Sequence, residues 1–159
     1  MIVFNPELLA AAASKFATEQ GLRRALERGE FEMFFQPQIN VETLEIGSTE
    51  ALLRWRLPDG TYACAADFLD VAEESGLIAD ISDWVFRTTV DMAARWHHGT
   101  WPDVRVAINV PARQLLDSQF VDKLQELLRQ RRLPARCIEL ELTENVLQTG
   151  SATIEALRR

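Results

Sequence analysis

The sequence predicts an α/β fold, and three observations carry that expectation. Stretches with apolar residues three and four apart alternate with short stretches of period two. Turn-forming residues sit at the joints between them, at Gly29, Asn40 to Glu45, Pro58-Asp59-Gly60 and Gly76. The resulting order is helix, hairpin, two helices, strand, helix, strand, helix, and such alternation implies parallel strands joined by right-handed crossovers.

Residues 7 to 28 read as helix. Leu8, Leu9, Ala12 and Phe16 form one stripe, and Leu22, Ala25 and Leu26 form a second. Pro6 suits the first turn and Gly29 the end. Gly21 is a weak point where the helix is expected to divide. Residues 1–20 are then a connector helix from an upstream domain, and residues 21–159 form the domain itself. Arg23, Arg24 and Arg28 read as a solvated face. Phe31 to Ile39 and Ile46 to Trp55 read as the two strands of an antiparallel hairpin. A short helix from Ala65 to Ser75 presents Phe68, Leu69 and Ala72, with Gly76 at its C-terminal cap. A longer helix from Asp80 to Trp96 carries Ile81, Trp84, Val85, Thr88, Met92 and Trp96 on what reads as its core stripe, followed by His97 and His98, which complement the helix dipole. Val104 to Val110 is a buried strand. Asp117 or Ser118 caps an amphipathic helix bearing Phe120, Val121, Leu124, Leu127 and Leu128. In the strand from Cys137 to Leu142, Ile138, Leu140 and Leu142 face one way while Glu139, Glu141 and Thr143 face the other. Ser151 begins a last helix.

Composition narrows the class. The 159 residues suit one domain, with 47% hydrophobic and 26% charged residues. A net charge of −7 argues against a nucleic-acid polymer as partner, because phosphate binding needs clustered Lys and Arg. No run of about 18 apolar residues occurs, so no membrane contact is expected in this segment, and Met1-Ile2-Val3-Phe4 is too short and uncharged for a signal peptide. A cytoplasmic location is expected, within a parent protein that membrane anchoring elsewhere would not exclude. Cys64 and Cys137 lack disulfide-framework or metal spacing and are expected to be small buried or half-buried thiols.

The stretch Glu50-Ala51-Leu52-Leu53-Arg54-Trp55 places an acid and a base inside an apolar run. As a strand it sends Glu50, Leu52 and Arg54 to one face and Ala51, Leu53 and Trp55 to the other. A buried carboxylate needs a partner, whether a cation, a metal ion or a donor network. Taken alone, the hexapeptide reads more simply as a salt-bridged strand end with no ligand. Further polar groups then occur at the C-terminal ends of the next predicted strands, Asn109 first and then Glu141 with Glu144. In a β/α barrel that edge is where active sites are built. Two carboxylates and an amide oxygen suit Mg²⁺ or Mn²⁺ better than zinc. Individually, each has a plainer explanation as a cap or a solvated strand end.

These residues resemble the signature of the EAL domain, the cyclic-di-GMP phosphodiesterase family. Glu50-Ala51-Leu52-Leu53-Arg54-Trp55 is preceded by Phe35-Gln36-Pro37. Then follow Asp67-Phe68-Leu69, Ala72-Glu73-Glu74-Ser75-Gly76-Leu77-Ile78, Ala107-Ile108-Asn109-Val110 and Glu139-Leu140-Glu141-Leu142-Thr143-Glu144. The resemblance implies a TIM-like barrel whose first strand is antiparallel to the rest, here a partial one of about four strands. It implies hydrolysis of cyclic-di-GMP to linear pGpG by two Mg²⁺ or Mn²⁺ ions. On the same basis Glu50, Asn109 and Glu141 correspond to metal ligands, Gln36, Leu52 and Arg54 to substrate contacts, and Glu144 to a loop-steadying glutamate.

The family's adjacent aspartates, catalytic lysine and later glutamate are expected beyond Arg159, since such a barrel needs about 250 residues. No complete catalytic set is therefore expected in this chain. An inactive EAL-type module that binds cyclic-di-GMP or a protein partner is the alternative. Open strand edges imply a homodimer or further polypeptide covering them. Smaller departures are Ser48 where the family usually has Gly, Ala65 where Pro is common, and Pro111 where Ser commonly follows.

Overall fold

The computed structural model describes residues 6–115 and 117–142. Its elements run α1 (Pro6–Arg28), β1 (Phe31–Ile39), β2 (Ile46–Arg56), β3 (Tyr62–Cys64), α2 (Leu69–Ser75), α3 (Ile78–His97), β4 (Val106–Val110), α4 (Ala112–Leu115), α5 (Phe120–Gln130) and β5 (Ile138–Leu142). Thr143, Glu144 and the helix expected from Ser151 lie outside the described residues. The strands form one sheet in the order β1-β2-β4-β5, with β3 beside β2. Pairing of β2 with β4, and of β4 with β5, is parallel, as the strand and helix alternation requires. The chain reverses between β1 and β2, with Asn40 N–H donating to Glu45 O at 2.9 Å, so β1 runs opposite to those three strands.

Contacts gather the described residues into two units, one from residues 6–32 and 53–81 and the other from residues 33–52, 82–115 and 117–142. In the first, α1 is unbroken through Gly21, which corrects the expected division. A Cβ at Gly21 would lie 2.5 Å from Trp55 Cη2, so the glycine admits an indole ring and marks no break. Trp55 also packs against Phe68, with centroids 5.8 Å apart and the rings at 88°, and against Phe31. Leu22 and Ala25 are fully buried, whereas Leu9 and Phe16 of the other stripe stay 55% and 63% exposed. Gly29 takes a left-handed conformation (φ 66°), and Glu30 N–H returns to Ala25 O at 3.0 Å, closing the helix as predicted. β3, unforeseen in the sequence, extends the pairing of β2. Cys64 at its end is exposed, against the expectation of a covered thiol.

The second unit holds the larger core. Val106, Ile108 and Val110 alternate along β4 into a cluster with Phe86, Val90, Ala93 and Ala94 of α3 and Phe120 and Leu128 of α5. Trp84, Val85, Thr88, Met92 and Trp96, expected on the buried stripe of α3, are only half-buried. The fully packed side of α3 carries Phe86, Val90, Ala93 and Ala94. Trp96 instead meets Phe35 edge-on, with centroids 4.8 Å apart. Cys137 is buried as expected, and burial pushes its thiol pKa up. On β5, Ile138 and Leu142 pack against the core cluster, while Leu140 between them stays 38% exposed.

Gly21→Ala should lower stability although alanine is the better helix former. The propensity gain is about 1 kcal/mol, and overpacking against Trp55 costs about 1–3 kcal/mol. Urea unfolding measures the balance, and a raised midpoint would contradict the packing role of Gly21.

Candidate functional site

Alternation on β4 decides where the site lies. With Val106, Ile108 and Val110 committed to the core, Ala107 and Asn109 occupy the opposite face. Parallel register sets Glu50 of β2 beside Ala107, Ala107 beside Glu139, and Asn109 beside Glu141. Glu50, Asn109 and Glu141 thereby share one face of three neighbouring strands. The Asn109 side chain reaches back to β2, with Nδ2 donating to Glu50 Oε1 at 2.8 Å. That bond uses one N–H of the amide and orients the side chain with its Oδ1 as an acceptor.

Glu141 shows the electrostatic consequence. Partial burial raises its carboxyl above the ordinary glutamate range, and the negative charges of Glu50 and then Glu139 raise it further. A divalent cation would relieve both effects. Among the described residues no group of three or more His, Cys, Asp or Glu side chains gathers as a metal site. The donor set here is instead two carboxylates and an amide oxygen, all hard oxygens, which fits Mg²⁺ or Mn²⁺.

The remaining predicted residues are placed as follows. Leu52 follows Glu50 on the same face of β2 and is half-buried. Arg54, further along that strand, donates from Nη1 to the Leu53 carbonyl at 2.9 Å. Gln36 is exposed on β1. Glu144 lies outside the described residues. Pro111 directly follows β4, and its carbonyl accepts from Gln114 N–H at 2.9 Å, so it turns the chain without disturbing Asn109. Sequence reasoning missed a tie beside Glu50, in which the Ser48 hydroxyl donates to Gln38 Oε1 at 2.5 Å. Its one signal was a small hydroxyl residue two positions before Glu50 on the same strand face.

A partial β/α barrel with an acidic face on three of its strands is the class this geometry defines, and solved structures share the fold. The EAL enzyme Bd1971 in its cAMP- and cyclic-di-GMP-bound form is similar at 28% identity, with a TM-score of 0.85 over 93% of this chain and 42% of that one. The PaMucR phosphodiesterase in complex with c-di-GMP is similar at 29% identity and a TM-score of 0.84, over 89% of this chain and 58% of that one. The EAL domain profile matches residues 19–159, and the chain belongs to that family. Among curated relatives, the cyclic di-GMP phosphodiesterase PA2567 of Pseudomonas aeruginosa is 35% identical over 95% of this chain and 26% of its own length. The cyclic di-GMP phosphodiesterase PdeR of Escherichia coli is 35% identical over 91% of this chain and 22% of its own. The chain thus spans about a quarter of the length of these relatives.

A carboxyl raised in the folded state costs stability once the pH exceeds its unfolded value. The loss grows as pH climbs from the ordinary glutamate range through the raised folded value. Glu141→Gln should therefore raise the thermal midpoint at pH 7, and the gain should fade as pH falls through the raised folded value and be largely gone below about 4.3. Melting curves across that range check it. A gain that persists at low pH would point to packing rather than charge.

Proposed function

We propose that the face carrying Glu50, Asn109 and Glu141 is the metal-binding wall of a cyclic-di-GMP phosphodiesterase site, in a protein that opens the cyclic dinucleotide to linear pGpG. The observation that carries the reading is the gathering of three oxygen donors on β2, β4 and β5, with Asn109 bonded to Glu50. Relatives that bear the phosphodiesterase name and EAL structures with cyclic-di-GMP bound support it. Glu50, Asn109 and Glu141 would hold Mg²⁺ or Mn²⁺, which when bound supplies Lewis acidity and counter-charge for a phosphodiester. Asn109 orients the Glu50 carboxylate through its amide. Arg54 offers a planar guanidinium to a phosphate oxygen. Leu52 belongs with Arg54 to the part of the motif that contacts substrate, Gln36 lies at the guanine-binding edge, and Glu144 is assigned the loop-steadying role of the family pattern.

A binding module without turnover is the second reading, and one sequence fact favours it for these 159 residues. They contain no two adjacent aspartates, so the second metal's ligands on the family pattern are not among them. Pairing with a second copy, or with further polypeptide, across the β1 and β5 ends of the sheet belongs to the same proposal. So does a cytoplasmic setting. Among the described residues no helix is long and apolar enough to cross a membrane.

Calorimetry tests the reading in two steps, Mn²⁺ first and cyclic-di-GMP second. The chain should bind the nucleotide only with Mn²⁺ present, release no linear dinucleotide, and lose metal-dependent binding in Glu50→Ala. Metal-independent binding would refute the assigned ligand set. Release of pGpG by this chain would refute the second reading. Light scattering on the eluting peak should show a dimer, and a well-behaved monomer would refute pairing with a second copy.

A further inference from the structure

We infer that Ser48 is a positioning residue for the nucleotide, acting through Gln38 to hold Gln36 across from Glu50; the inference rests on the functional reading above. Ser48 lies two residues before Glu50 on the same face of β2 and is 8% exposed. A hydroxyl this covered needs a partner, and it finds one on the neighbouring strand, where Gln38 Oε1 accepts at 2.5 Å. The contact puts Ser48 and Gln38 on one face of the β1–β2 pair, and at the far end of that pair Arg56 N–H donates to Glu30 O at 2.9 Å, which matches Gln38 standing across from Ser48. In an antiparallel pair, two steps back along β1 and two forward along β2 bring Gln36 opposite Glu50.

The tie matters because β1 is the end strand of the sheet order and bears Pro37, which has no N–H to give to a ladder. A side-chain bond immediately beside that proline supplies a register constraint where the backbone offers less. A slip of one residue would turn Gln36 away from the Glu50 face altogether. Gln38 is itself exposed, so water can satisfy its carbonyl when the hydroxyl is removed. Loss of the tie should thus loosen the placement of Gln36 with little effect on global stability. The metal donors on β2, β4 and β5 do not depend on it.

Calorimetry and unfolding on the wild-type chain, Ser48→Ala, Ser48→Thr, Gln38→Ala and the Ser48→Ala/Gln38→Ala double variant test this. Each alanine variant should weaken cyclic-di-GMP binding to the Mn²⁺-loaded chain by about fivefold, the equivalent of one net hydrogen bond. The double variant should be no weaker than either single one, because both changes remove the same contact. Ser48→Thr, which keeps the hydroxyl, should restore affinity. Mn²⁺ affinity should stay at its wild-type value in all of them, as should the unfolding midpoint of Ser48→Ala and of the double variant, in which no covered hydroxyl is left without its partner. Wild-type nucleotide affinity in Ser48→Ala overturns the inference and leaves the functional reading standing. Parallel loss of Mn²⁺ affinity and stability overturns it in favour of a purely structural role. A wild-type chain that takes Mn²⁺ but not cyclic-di-GMP overturns both.

Discussion

The parallel pairing of β4 between β2 and β5 is the constraint on which the rest depends. Because side chains alternate, one register assigns Val106, Ile108 and Val110 to the core and Asn109 to the other face. The same register lays Glu141 beside Asn109 and brings Glu50 within reach of the Asn109 amide. A shift of one residue in β4 would send Asn109 into the Phe86 and Phe120 cluster and turn the three aliphatic side chains away from it. Burying an amide or carboxylate there without partners costs several kcal/mol. Core packing thus enforces the placement of the polar groups, although none of them belongs to the core.

The price of this arrangement falls on the acids. Glu50, Glu139 and Glu141 lie on one face of adjoining strands, and Glu141 resists ionisation because partial burial first, and then the charges of Glu50 and Glu139, raise its carboxyl. Asn109 relieves Glu50 with a neutral donor and adds no further charge to the face. A face built in this way is less stable alone than with a cation upon it, which connects its electrostatics to the metal-dependent chemistry proposed for it. Arg54 lies further along β2, a guanidinium on the strand that carries Glu50.

Much of the fold was legible because local chemistry and tertiary structure agree. The hairpin turn at Asn40, the helix stop at Gly29 and the two faces of Glu50 to Trp55 follow from backbone preference and period two. Disagreements arise where a distant partner decides. Gly21 reads locally as a helix breaker, yet it is required by the Trp55 ring, 34 positions on (55 − 21). The apolar stripe of α3 reads from its largest side chains, but the packed side carries Phe86, Val90, Ala93 and Ala94. Cys64 is exposed because it ends a short strand, β3, that only pairing with β2 brings into being.

Within the site the division is similar. The sequence by itself determined the identities of Glu50, Asn109 and Glu141, the strand-end positions of Asn109 and Glu141 and, through the family signature, the chemistry they resemble, since motif and periodicity are local properties; Glu50, expected at a strand end, lies mid-strand because β2 runs on to Arg56. Only the tertiary structure decided that Asn109 bonds to Glu50, that Glu50 and Glu139 raise the Glu141 carboxyl, and that Ser48 ties β2 to Gln38. These relations join residues on different strands. The register that creates them is an outcome of packing the whole sheet, which no single segment encodes.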